Sequence, residues 1–148
     1  MHVEAVCQRA LINQSWTVTY DRFESPLLLP GGNVRSITSL KYYDVNGAQQ
    51  TMVAGTDYIT DLASFPARVF APAHQDFPAT ADQPATVSCV YTLGYGSDPA
   101  SIPAPLTAAM LLLIGDLYEN RESNVPTRFF IENETFNRLL FPFKRVEP

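Results

Sequence analysis

In the stretch "DLYENRE", residues 116 to 122, carboxylates recur every third residue: Asp116, Glu119 and Glu122. Side chains three apart share a helix face. Asp116 with Glu119, and Glu119 with Glu122, therefore have the spacing of a two-carboxylate acid/base or metal pair. Such chemistry needs company. No histidine stands three or four residues from any of them, no glycine-rich phosphate loop precedes the segment, and neither GxSxG nor HExxH occurs in the chain. Acids alternating with Arg121 at a helix end are the ordinary pattern of a solvated or intersubunit ion-pair face, and Glu119, Arg121 and Glu122 are read so. Cys7 and Cys89 are the only thiols, and His2 and His74 the only imidazoles. None has a His or Cys at ligand spacing, so no catalytic residue, metal or cofactor is expected. The two cysteines are read as buried, reduced fillers.

These residues belong to a chain of 148, the size of one domain, with 46% hydrophobic and 17% charged residues. That balance leaves apolar surface to be buried between subunits. The longest apolar run, Ala108 to Gly115, falls far below the roughly 20 residues that span a bilayer. No charged-then-apolar leader opens the sequence, so neither a membrane protein nor a secreted one is expected. The net charge of −5 sits in the middle: residues 44 to 116 hold seven aspartates against Arg68 alone. Nucleic-acid affinity comes from clustered Lys and Arg, so a phosphate-gripping surface is not expected there. A solvated acidic face is.

Periodicity gives the scaffold. Residues 2 to 10 place Val3, Val6 and Ala10 at helical spacing, an uncapped helix that reads as the end of something longer. From Trp16 the period is two, with Trp16, Val18 and Tyr20 on one face. In "SITSLKYYDVNGAQQTM" the Asn46-Gly47 pair sits between two strand-like runs and predicts a hairpin with a type I′ turn. Short strands are predicted at "DYIT" and "ARVFA", a loop at "PAHQDFPATADQP", and a strand in "ATVSCVYTLGYG" with Val87, Cys89, Tyr91 and Leu93 on one face. The expected fold is α+β: a meander or small barrel-like antiparallel sheet of about five strands, set between an N-terminal helix and a C-terminal long helix plus a short one. One domain spans 1–148, divided into a helix end (1–14), a β region (15–96) and C-terminal helices with a tail (101–148).

The long helix starts near Pro103 and Pro105, with Ser101 as its cap. Leu106, Met110, Leu113 and Leu117 form one stripe; Leu111, Ile114 and Tyr118 form a second. A surface helix needs only one. Two stripes mean a helix either central to its own core or shared with a neighbouring subunit, and the second stripe is the candidate subunit interface. A short helix is predicted from Glu134 to Phe141, capped by Asn133 and ended by Pro142, with Phe136, Leu139 and Leu140 inward. The tail "FPFKRVEP" then offers Phe141, Phe143, Lys144 and Arg145 for docking on a partner, where a frayed terminus is the simpler alternative.

The string "GYGSDPASIPAPLTAAMLLLIGDLYENRES" resembles the signature of the head–tail connector proteins of long-tailed bacteriophages, also called adaptor or head-completion proteins. In that family a strand ending in Gly-Tyr-Gly leads through an Asp-Pro turn and a Pro-x-Pro helix start into a Leu-rich helix. "VEAVCQRALINQSW" and "VRSITSLKYYDVNGAQQT" are similar to its helix end with first strand and to its central hairpin. The resemblance covers nearly the whole chain. Relatives carry a further helical stretch before the position of Val3, so this chain is read as starting at an internal methionine or as a shortened version.

The resemblance implies a structural virion protein, not an enzyme. It implies a homo-oligomeric, twelve-fold ring below the portal protein that extends the DNA channel, closes the filled head and receives a tail-completion or tail-terminator protein. Its place is the head–tail interface of the virion, after assembly in the host cytoplasm. Genomic DNA passes through without specific binding, and an acidic wall lets it slide. The tail is implied to reach the portal through Phe141, Phe143, Lys144 and Arg145. Eight Arg against two Lys suit interfaces of this kind. The alternatives are another virion module, such as a tail-completion or capsid-decorating protein, and a small enzyme.

Overall fold

The computed structural model describes residues 2–119 and 134–144. Helix α1 (His2–Cys7) buries Val3 and Cys7 and stops three residues short of the predicted Ala10. Gln8 takes a left-handed φ of 51°, and the Arg9 amide donates back to Glu4 O at 3.2 Å, the hydrogen bond that closes a Schellman-type helix end. The Glu4 carboxylate meanwhile accepts from the Leu11 amide at 3.0 Å and steers the chain toward the first strand.

Among the described residues seven strands follow: β1 (Gln14–Tyr20), β2 (Leu27–Leu29), β3 (Val34–Tyr43), β4 (Gln49–Met52), β5 (Ile59–Asp61), β6 (Ala67–Phe70) and β7 (Val87–Leu93). They form two open antiparallel sheets, in the orders β1-β7-β3-β4 and β2-β6-β5. The expected α+β class holds, while the count of about five and the meander or barrel order give way to this arrangement. β7 lies between β1 and β3 because its buried face, Val87, Cys89, Tyr91 and Leu93, has to sit at the centre of the core. That alternation is as predicted. Leu27, Leu29, Ala67 and Val69 of the small sheet join the same apolar cluster. The Tyr91 hydroxyl, buried among them, donates to Pro30 O at 2.7 Å and is thereby satisfied.

The β3–β4 hairpin is present with a different turn. Only Gly47 has positive φ, 80°, and its amide donates to Asp44 O at 2.8 Å, which makes a type I turn followed by a left-handed glycine. Asp44 decides this, since its carboxylate accepts from the amides of Asn46 (2.9 Å) and Ala48 (3.0 Å).

After β7 the chain crosses under residues 11–13. Tyr95 N donates to Leu11 O at 3.1 Å and Asn13 N to Gly96 O at 2.9 Å, and Gly94, just before them, has φ 128°. Beyond this crossing a 3-10 turn (Pro99–Ser101) is capped by Asp98, whose carboxylate accepts from Ala100 N at 2.8 Å. Helix α2 (Ala104–Glu119) then begins at Pro103, whose carbonyl takes the Leu106 and Thr107 amides, so Ser101 is not its cap. Helix α3 (Glu134–Leu140) runs into a 3-10 turn over Phe141–Phe143 that contains Pro142. The predicted cap Asn133 lies outside the described residues. A second apolar cluster, built on Val3, Cys7, Leu11, Leu106, Ala109 and Leu140, holds the helices together. Phe136 and Leu139 pack against it as predicted.

Both cysteines are buried and unbridged. Burial pushes the Cys89 thiol up to about 12; burial, and then the nearby Cys89, push the Tyr91 phenol up to about 12. Burial also raises Cys7, Tyr20, Tyr58 and Tyr95. In each case the unfolded chain ionises first, so this stability is whole below about pH 9 and drains away toward about pH 12. The melting temperature is therefore expected to fall steadily from pH 9 upward. A profile that stays level to pH 11 would contradict the burial of these groups.

Candidate assembly interface

Helix α2 is covered near its start and solvent-exposed toward its end. Leu106 and Ala109 are buried and Met110, Leu112 and Leu113 half-buried, because α1 and α3 pack on this part. Farther along, Leu111, Ile114, Leu117 and Tyr118 are 64%, 61%, 59% and 67% exposed. At about 100° per residue, Leu111, Ile114 and Tyr118 point away from buried Ala109. They keep the second stripe together on one outward face. Leu117 was expected in the inward stripe and is bare because the helix has run past the elements that cover its first turns. Among the described residues, the helix is therefore not central to the core. Burying a side chain of this size contributes about 1.5–3 kcal/mol, and much of that gain remains to be collected at each of these positions.

Glu119 is exposed beside this face; Arg121 and Glu122, proposed with it as an ion-pair rim, lie outside the described residues. Of the C-terminal candidates, Phe141 is 73% exposed, whereas Phe143 packs into the helical cluster. The 3-10 turn sends the two rings in different directions. Lys144 Nζ donates to Asn137 Oδ1 at 3.1 Å, and Arg145 lies outside the described residues.

Arg9 joins parts of the chain that lie far apart in sequence. Its Nε donates to Phe143 O at 3.0 Å and its guanidinium lies 5.1 Å from the centre of the Phe65 ring. It thus ties the last described turn to α1 and to the β region. Partners so far apart in the chain leave no local signal.

The acidic middle of the chain is largely turn chemistry. Asp44 and Asp98 cap turns as described, and Asp57 accepts the Val53 amide at 2.7 Å. Asp61 meets Arg68 at 2.7 Å; the Ser64 hydroxyl first, and then Arg68, hold its carboxyl down to about 2. Among the described residues no group of His, Cys, Asp and Glu has metal-binding geometry. No helix among them is long and apolar enough to cross a membrane.

Two open antiparallel sheets carrying a helical cluster beyond one end define an α+β fold that solved structures share. One is a chain in the neck of a native gene transfer agent particle, computed with C12 symmetry: TM-score 0.75, 21% identity, covering 99% of this chain and 78% of that one. A chain of the virion of a native gene transfer agent particle gives 0.75 and 19%, covering 99% and 73%. One from the neck of an empty particle, computed with C6 symmetry, gives 0.73 and 22%, with the same coverage. No protein-family model matches the chain, and no curated protein does.

Proposed function

We propose that this chain is a neck subunit of a phage-like particle, a head–tail connector that forms a ring below the portal. There it extends the DNA channel, closes the filled head and receives the tail. The observation that carries the reading is the bare outer face of α2, a large apolar stripe on a single copy whose whole length shares its fold with neck chains. Contiguous apolar surface of this kind marks a protein contact. A face that is not its own complement builds rings when the rotation closes. In this reading Leu111, Ile114 and Tyr118 meet the next subunit, with Glu119, Arg121 and Glu122 at the rim. Phe141, the bare aromatic of the C-terminal turn, touches the portal, and Lys144 and Arg145 flank it. The exposed aspartates repel the duplex and leave it free to slide.

Electron microscopy of heads incubated with the purified protein tests this. The expected result is ring density at the portal vertex. Density only at the end of isolated tails would make the chain a tail-completion protein instead, and a protein that joins neither heads nor tails would sink the neck reading.

A further inference from the structure

The two sheets have four edge strands, and three are guarded in ways that native edges usually are. β2 has three residues set between Pro26 and Pro30. β5 has three and ends in the Asp61–Arg68 pair. β4 has four and runs into the turn in which Asp57 takes the Val53 amide. β1 differs on every count. Its seven residues, "QSWTVTY", pair with β7 in unbroken register and carry no charge and no proline. Among the described residues, no backbone group of β1 bonds to anything on its other side.

A separate feature borders the same strand. Gln14 and Trp16 form one wall of a groove of about 420 Å³, with Ala5, Arg9, Gly31 and Leu93 among its other walls. Trp16 is 41% exposed, yet its indole is held in place: Nε1 donates to Gln14 Oε1 at 3.1 Å and the ring lies over Gly31. A fixed aromatic flank beside an open strand edge combines the two parts of strand-addition recognition. Main-chain hydrogen bonds give affinity, and a pocket selects one side chain.

Resting on the neck reading, we propose that the free side of β1 receives an extended, uncharged segment of a different neck protein as an added strand. One bulky apolar side chain of that segment seats in the groove against Trp16. Among the described residues, no strand of a second copy of this chain suits as the occupant. β1 against β1 is a two-fold contact that closes after two subunits and cannot run round a ring, and a neighbour's other edges are the guarded ones.

The test incorporates the photo-crosslinker p-benzoylphenylalanine in place of exposed Thr17 and irradiates purified particles. The expected product joins this chain to a different polypeptide. In a Trp16→Ala background, the yield per incorporated copy is expected to fall roughly tenfold or more, as for a lost aromatic anchor, or the folded chain fails to incorporate. Crosslinks only to a second copy, no crosslink, or a yield unchanged by Trp16→Ala overturns the proposal while leaving the neck reading in place. Absence of the chain with Trp16 intact from the particles overturns both.

Discussion

Ile114→Asp is expected to yield a folded subunit that no longer attaches to portal-bearing heads. In the isolated chain Ile114 is 61% exposed, so the new carboxylate stays in water and the fold loses about 0.5 kcal/mol of helix propensity at most. In a closed contact the same carboxylate is stripped of water with nothing to pair it. That costs several kcal/mol, and each 1.4 kcal/mol is about a tenfold loss in affinity. Co-sedimentation with heads measures attachment, and circular dichroism melting checks the fold. Leu106→Asp is the contrast, since Leu106 is fully buried and its replacement should prevent folding altogether. Normal attachment of Ile114→Asp would show that the stripe is not a contact.

Gly94→Ala is expected to be the most damaging glycine-to-alanine change in the chain. Gly94 sits at φ 128°, and a Cβ there would fall 2.6 Å from Asn13 N and from the Ile12 carbonyl carbon and oxygen. All three are backbone atoms of the segment that passes over β7, so none can swing aside. The substitution has to separate the strands' end from the helical cluster. A cost of about 3 kcal/mol or more follows from combined strain and lost hydrogen bonds. Gly47→Ala supplies the scale: φ is 80° but nothing lies within 4 Å, so only the left-handed penalty of roughly 1–2 kcal/mol applies. Urea unfolding midpoints compare the two. Equal shifts would mean that the crossing is looser than the geometry at Gly94.

What was legible in the sequence depended on how local its cause was. The alternation of Val87, Cys89, Tyr91 and Leu93 could be read because one buried face imposes a period of two on its own strand. The hairpin was visible from Asn46-Gly47, but its turn type was set by the Asp44 side chain, which competes for the same amides. β2 escaped notice because "LLL" is too short to show a period, although Leu27 and Leu29 are buried and Leu28 is not. Pairing of β7 with both β1 and β3 left no trace, since it joins distant segments. The same limit applied to the candidate site. Two stripes on α2 were legible, while the boundary between its covered and bare halves depends on where α1 and α3 lie. Phe141 and Phe143 read alike until the 3-10 turn separated them, and the open side of β1 is a property of its neighbours rather than of its residues.

The exposed end of α2 also bears on how the free chain behaves when concentrated. Free subunits that display several large apolar side chains stick to one another when concentrated, so stock cannot be built up without loss. If the neck reading holds, synthesis has to keep pace with the arrival of docking sites. In the currency of gene expression, the neck reading would make this a dosage-sensitive product.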